Sequence, residues 1–517
     1  MSREDQIIEN RMRKIKELRE QGINPYPHKF SVKNYSLDLH KKYSKLANDK
    51  KTKDKVVVAG RIMIKRDLGK IGFATLQDAQ GKIQIISQEG ETSDKIRELF
   101  KKYVDSGDFV GIEGIIMRTK AGELSVMINK VEILSKSILP LPDKWHGLQD
   151  KEERYRKRYL DLIMSPEVKE VFVKREKIIQ IIKSLLKESG FLEVEIPTLQ
   201  SVYGGASAAP FVTHLNALDI DLYLSISPEL HLKRLIVGGF DKVFTICKNF
   251  RNEGIDFQHN PEFTMLEYYI AYEDFEYHIK FTEELFKRIN MELKLEEINL
   301  RGKKINLKPP FKRITFRDLL VKETGIDIDK ANNFEKLKKE INSKKIHEIN
   351  IARCKHYGSL LDELYKRVVR PNIIQPTFLT HYPVEMIALA KRNEKDKSKI
   401  NSVQLIIDSA EIIKAYDELN DPIDQEARLK EQAELKKKGD NEAMPMDEDF
   451  INALKYGMPP TAGYGMGIDR ITMLLTSQES IRDVILFPFM KPIKSSSELL
   501  NSKNHDEKNK NGKKKWD

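Results

Sequence analysis

Between Val56 and Leu134 the sequence breaks into short runs rich in β-branched residues, VVVAGRIMI, GFATLQD, KIQIISQ, FVGIEGIIMRT and LSVMINKVEIL, punctuated by glycines. Runs of this length and composition read as strands that bury one face. One polar stretch near 93–103 has helical spacing instead. Five strands with a single inserted helix have the size and rhythm of an OB-fold barrel, and an SH3-like barrel or a small sandwich would leave a similar trace.

The flanks of this segment set the domain plan. Ile7, Ile8, Met12, Ile15 and Leu18 recur at helical spacing with Arg and Lys between them, and Gly22, Pro25 and Pro27 end the pattern. This helix either packs on its own protein or serves as a basic arm for RNA. Lysine-rich 40–55 reads as a connecting stretch. We expect an N-terminal helix and lead-in over 1–50, the barrel over 51–138, a linker over 139–152, a second domain over 153–494, and a basic, disordered tail over 495–517.

The second domain mixes its elements. A long amphipathic helix is expected over 166–189, ending at Gly190, with a strand entering Pro197. Later strands are expected at LYLSIS, KVFTICKNF, EFTMLEYYIAY, PTFLTHYP, SVQLIIDSAEIIKAYDEL and GYGMGIDR. No regular βαβ alternation occurs, so the fold class is α+β on a largely antiparallel sheet.

Composition narrows the partners. Lys+Arg 90 against Asp+Glu 79 gives a net charge of +11, which favours an anionic partner such as nucleic acid. Cys247 and Cys354 are far apart and show no Cys-x-x-Cys, so neither a disulfide framework nor a zinc knuckle is supported and a reducing compartment fits. No apolar run approaches the roughly 18 residues that span a bilayer, and the charged start lacks a signal peptide's apolar middle, so a cytoplasmic protein is expected. P-loop, His-Glu-x-x-His, Gly-x-Ser-x-Gly and EF-hand patterns are missing. Gly463, Gly465 and Gly467 form Gly-x-Gly-x-Gly, which lacks the dinucleotide spacing.

Three clusters carry candidate chemistry. FRNEGIDFQHNPEFT encloses Arg251, Glu253, His259 and Glu262 in a polar loop followed by Phe263, which could offer a guanidinium to phosphate, a carboxylate to an exocyclic amine and a ring to a purine. A surface hairpin with ordinary ion pairs would look the same. Glu411 and Glu418 sit in an apolar stretch where carboxylates need a partner or a cation, and hard oxygens suit Mg²⁺ beside phosphates. On a straight strand their spacing would put them on opposite faces, so a bend or neighbouring strands are required. In PPTAGYGMGIDR, glycines permit close backbone approach and Arg470 falls in the first turn of a helix opening at Ile468, where the dipole disfavours a cation unless a ligand calls for it.

At these clusters the chain resembles the class II lysyl-tRNA synthetases that carry an N-terminal OB-fold, of eukaryotic cytosolic type. FLEVEIPTLQ resembles the class's first motif, FRNEGIDFQHNPEFT its second and GMGIDR its third, while GGASAAPF, ELNDP and PPTAGYGMGIDR are lysyl-type phrases. The resemblance implies that Arg251 holds the ATP α-phosphate, Glu253 accepts from the adenine amine, His259 and Asn260 meet the nucleotide, and Phe263 and Arg470 cover the two adenine faces beside Gly467. It implies Mg²⁺ on Glu411 and Glu418, and L-lysine among Gly205, Ala206, Glu229, Glu267, Tyr269 and Asn420. It further implies that Arg66, Phe73 and Gln84 read the anticodon of lysine tRNA, and that the first-motif helix and strand form a homodimer. A protein-modifying or noncatalytic RNA-binding paralogue is the competing reading. Ala209 in place of a basic residue, and THYPVEMIALAKRNEKDKSK in place of the usual phrase, depart from the family pattern.

Overall fold

The short β-rich runs after Val56 close on themselves. In the computed structural model, which describes residues 1–142, 150–438 and 443–493, β1 (Lys50–Asp67), β2 (Ile71–Gln77), β3 (Lys82–Gln88), β4 (Phe109–Arg118) and β5 (Leu124–Ser135) form a barrel in the order β1-β2-β3-β5-β4. The helix Asp94–Tyr103 is inserted between β3 and β4. Val58, Ile62, Leu76, Ile85, Ile112 and Val126 fill the interior. This is the expected OB-fold.

Two details of this first unit, Met1–Gln149, go beyond the sequence. The 40–55 stretch is not a plain connection: it holds the end of a helix, Ser36–Lys42, and the start of β1, whose Lys50 and Lys51 pair with Arg118 and Met117 of β4. Ladder bonds use backbone groups, so exposed lysines do not stop a strand. The helix Arg3–Glu20 packs on its own unit through Ile15 and Leu18, and Arg11 donates to the carbonyls of Ser106, Ser137 and Leu139. Nearby, the Lys136 ammonium is wholly buried against Asp105 and Asp108 at 2.7 and 2.5 Å.

In the second unit, Asp150–Asp517, the described residues form three sheets. Its strands are β6 (Leu192–Glu193), β7 (Leu199–Gln200), β8 (Val212–Leu215), β9 (Ile220–Leu224), β10 (Lys242–Phe250), β11 (Glu262–Ala271), β12 (Glu297–Leu300), β13 (Lys303–Asn306), β14 (Lys312–Thr315), β15 (Thr377–Thr380), β16 (Ser402–Ile407), β17 (Ala410–Asp417) and β18 (Thr461–Gly467). Eight of them form the main sheet, β14-β15-β16-β17-β18-β11-β10-β6, antiparallel except at β14–β15 and β10–β6. The α+β expectation holds.

One face of this sheet is dry. Leu266, Tyr268 and Ile270 of β11, Ile413 and Ala415 of β17, and Ala462, Tyr464 and Met466 of β18 pack with Ile178 and Ile182 of helix Pro166–Glu188 and with Phe286 and Ile289 of helix Phe275–Leu293. Alternation then sends the odd-numbered residues of β11 and β18 to the opposite face.

The SVQLIIDSAEIIKAYDEL stretch, read as one strand, is a hairpin: Asp408 and Ser409 have φ of 45° and 65° and turn β16 back into β17. Two consecutive left-handed residues are the two-residue turn whose twist matches that of the strands, and Asp-Ser is a weak signal for it. The linker's residues 143–149 and the tail from 494 onward lie outside the described residues.

Candidate active site

On β18 the residues pointing away from the core are Gly463, Gly465 and Gly467, so the centre of the sheet is bare backbone. The strands on either side supply the walls. β11 contributes Phe263, Met265, Glu267 and Tyr269, β17 contributes Glu411, Lys414, Tyr416 and Glu418 at its end, and together they line a cavity of about 630 Å³. At Gly463 the bareness is obligatory, because a Cβ there would lie 2.0 Å from the Glu418 carboxylate and 2.6 Å from the Tyr269 ring. The Gly-x-Gly-x-Gly pattern is thus a strand signature, a period of two that clears one face.

Glu411 and Glu418 share the cavity face because of one extra residue. Leu405 pairs with Ile413 and Ile406 with Glu411, which leaves Ile412 as a bulge. A bulge switches the parity of the strand, so an odd-numbered residue before it and even-numbered residues after it point the same way.

At one end of the cavity the β10–β11 loop and the start of helix Ile468–Leu475 meet. The Arg251 guanidinium lies 5.0 Å over the Phe263 ring. Arg470 donates to the Glu411 carbonyl at 3.2 Å and meets His259 Nε2 at 3.2 Å, while His259 Nδ1 faces Asp256 at 2.9 Å. Asp469 anchors this corner by accepting from the Thr264 amide at 2.7 Å and pairing with Arg175 at 2.7 Å. Glu253 and Asn260 line the same end.

The other end is acidic and dry. Glu229, at the start of helix Glu229–Val237, Glu267 and Glu418 are all buried, with Tyr269, Tyr416 and Ser227 among them. Ser227 donates to Glu267 at 2.9 Å, and the Tyr416 hydroxyl lies 3.0 and 2.9 Å from the two oxygens of Glu229. Burial, reinforced by Glu229, pushes the Glu267 carboxyl up to about 8. The Lys233 ammonium sits 2.6 Å from Glu229 and in ion-pair contact with Glu418. Burial alone would pull this amine down, yet the two carboxylates outweigh it and its pKa is raised. Gly205, with φ of 83°, and Ala206 close this end; a Cβ at Gly205 would sit 2.8 Å from that of Glu229.

One expected residue is not brought in. Asn420 is absent from the cavity lining: its amide accepts from Lys391 at 3.1 Å and donates to the Met458 carbonyl at 3.1 Å, so it ties two loops together. Conversely, Lys233, Tyr416 and Ser227 line or support the acidic end and were not singled out from sequence. Their signals were ordinary, an i,i+4 Glu–Lys pair in a helix and a strand tyrosine. Among the described residues no cluster of three or more His, Cys, Asp or Glu side chains could hold a metal ion by itself. Glu411 and Glu418 are nevertheless hard-oxygen ligands on one face, and Oε1 of buried Glu418 has no hydrogen bond while Oε2 meets Lys233, so the pair fits a cation shared with phosphate oxygens.

In the barrel, Arg66 and Phe73 are cross-strand partners, and Gln84 pairs with Thr75 one step along. All three therefore share the outer face of β1-β2-β3; Arg66 is exposed, Phe73 and Gln84 are half-buried, and Gln84 accepts from Ser125 at 2.8 Å.

A closed barrel joined to an antiparallel sheet with arginines at one end of its cavity and carboxylates at the other delimits a class, and sequence comparison gives the same one. Residues 150–491 match the model for class II tRNA synthetases (D, K and N), and residues 56–134 match that for an OB-fold nucleic acid binding domain. The chain belongs to the class II tRNA synthetases. It is 47% identical over 489 residues, 94% of its length and 95% of the relative's, to the lysine–tRNA ligase of Pelotomaculum thermopropionicum. It is 46% identical to that of Carboxydothermus hydrogenoformans, over 94% of this chain and 98% of the relative. With the lysine–tRNA ligase of Thermotoga maritima it shares 45% identity, over 95% and 97% of the two lengths.

Proposed function

We propose that this chain is a lysine–tRNA ligase: it activates L-lysine with ATP to lysyl-adenylate and pyrophosphate, then transfers lysine to the 3′ end of lysine tRNA. The observation that carries this reading is the polarity of the cavity described above, with guanidinium groups and a ring at one end and three buried carboxylates at the other. A buried carboxylate is costly unless a cation meets it, and a diamino acid supplies two.

In this reading Arg251 faces the α-phosphate, where charge grows as the lysine carboxylate attacks in line, and Arg470 accompanies the outer phosphates. Phe263 stacks the adenine, Glu253 accepts from its amine, and His259 and Asn260 orient the nucleotide. Glu411 and Glu418 are the residues that would hold Mg²⁺, which adds charge neutralisation at the phosphates. Glu229, Glu267 and Tyr269 receive the substrate's ammonium groups, with Gly205 and Ala206 beside them. No protein nucleophile is needed, since positioning and preorganised charge carry the rate. The outer face of the barrel reads anticodon bases, Phe73 by stacking and Arg66 and Gln84 through base edges.

Two further features belong to the same proposal. The chain acts as a homodimer through the first-motif elements, on which Val173, Leu192 and Leu199 are large exposed apolar side chains, and light scattering should report about twice 60.0 kDa. Its setting is the reducing cytoplasm; both cysteines are free thiols, and among the described residues no helix is long and apolar enough to cross a membrane.

Lysine-dependent ATP–pyrophosphate exchange, followed by charging of lysine tRNA, tests the assignment. Exchange with charging supports it. Exchange without charging favours a protein-modifying enzyme, and neither activity favours a noncatalytic RNA-binding protein.

A further inference from the structure

Lys233 lies one turn after Glu229 on the same helix, a spacing that on a solvated surface makes only a weak ion pair. Here the side chain is 0% exposed. Its ammonium touches Glu229 and Glu418, with the rings of Tyr269 and Tyr416 at 6.0 Å and Phe450 at 5.8 Å. A fully desolvated ammonium persists only when paired, and this one is paired twice.

Its position matters for the charge left to a ligand. The acidic end holds three carboxyl groups, Glu229, Glu267 and Glu418, and one ammonium, Lys233; once a ligand's ammonium groups hold all three in the ionised form, two negative charges are left for the ligand to match. Lysine carries two ammonium groups. Its α-carboxylate, which adds a negative charge, has the Arg251 guanidinium within electrostatic reach of Glu267. A neutral amino acid brings only one ammonium and leaves a buried carboxylate uncompensated.

Resting on the lysine–tRNA ligase reading, we propose that Lys233 is a specificity-determining residue: by spending itself on Glu229 and Glu418 it sets the charge deficit of the amino-acid pocket to match a diamino acid. It does so without touching the reacting atoms. Removing its charge leaves three carboxylates for two ammonium groups. The pocket then prefers a ligand that carries more net positive charge. Lysinamide, which keeps both ammonium groups and lacks the α-carboxylate, is that ligand.

The test is calorimetric titration of the full chain with lysine and with lysinamide, without ATP or Mg²⁺, for the wild type, Lys233→Met and Lys233→Arg. Lys233→Met should shift the lysine-to-lysinamide affinity ratio toward lysinamide by about tenfold, while Lys233→Arg returns the ratio toward the wild-type value. An unchanged ratio overturns the proposal even if lysine binding weakens, since lost packing would weaken both ligands alike. Should Lys233→Met not fold, Lys233→Met/Glu418→Gln removes both charges of the pair and should keep the wild-type ratio; a ratio shifted toward lysinamide in that variant overturns the charge count. Wild-type chain that binds neither ligand defeats the lysine–tRNA ligase reading itself, whereas intact wild-type binding with an unmoved ratio defeats only the role of Lys233.

Discussion

Glu229 and Tyr416 are 187 residues apart in the chain, yet the tyrosine hydroxyl lies 3.0 and 2.9 Å from the two carboxylate oxygens. A hydroxyl that faces both oxygens fixes the plane of the carboxylate. Lysine binding should therefore depend on Tyr416 through Glu229.

Glu229→Gln should raise the Michaelis constant for lysine about ten- to a hundredfold while leaving that for ATP nearly unchanged, as expected for losing a charged hydrogen bond worth about 1.5–3 kcal/mol. Tyr416→Phe should move the same constant in the same direction by less. Steady-state exchange kinetics measure both. Equal shifts for lysine and ATP would remove Glu229 from the amino-acid pocket.

The raised Glu267 carboxyl gives a pH dependence with a definite sign. With a value pushed up to about 8, Glu267 is mostly protonated at neutral pH in the ligand-free protein. A bound ammonium favours the ionised form and lowers that value. Lysine affinity should then climb as pH rises toward 8, by up to about tenfold per unit, with release of a proton on binding. Titration calorimetry at pH 7 in two buffers of different ionisation enthalpy reads the proton directly. Glu267→Gln should abolish the release, and a pH-independent affinity without proton release would contradict the assignment.

Activation and RNA reading should separate. Phe73→Ala should lower charging of full-length lysine tRNA by roughly five- to a hundredfold and spare pyrophosphate exchange, since base–aromatic stacking is worth about 1–3 kcal/mol. Arg251→Ala should abolish exchange itself. If Phe73→Ala lowered exchange as much as charging, the anticodon role of the barrel face would be lost.

The first unit has its own vulnerable point. Lys136→Met leaves Asp105 and Asp108 facing each other without the buried ammonium between them, and breaking a buried pair this way costs about 3–5 kcal/mol. Denaturant unfolding of residues 1–149 within the full chain, followed by a fluorophore attached to that unit, should show the loss; an unchanged midpoint would mean that the aspartates find other partners.

The barrel was legible because its strands are short runs of β-branched residues punctuated by glycines, and the polar helix at 94–103 interrupts them visibly. The 402–417 hairpin was not, because its turn is made by Asp408 and Ser409 in a conformation that neither residue advertises. The guanidinium end of the cavity is built from motif residues that sit close together in the chain, around 251–263 and 467–470. The acidic end could not be read in full: Lys233 follows Glu229 at the spacing of a common surface pair, and only tertiary packing turns it into a buried one. Asn420, which the family resemblance assigns to the amino-acid pocket, has its amide bonded to Lys391 and Met458. The parity problem of Glu411 and Glu418 was visible beforehand, and the single extra residue at Ile412 solves it.

The bare face of β18 divides labour within the molecule in a way that bears on redesign. Its peptide groups are taken up by β11 and β17 on either side, so the strand has little left with which to tell one amino acid from another. On the reading proposed above, discrimination is written in segments that arrive from far apart in the chain, around 229, 267 and 416. Anyone wishing to retarget this enzyme should leave 463–467 alone and vary those three segments together, because a change in any one alters a balance that the other two were built to meet.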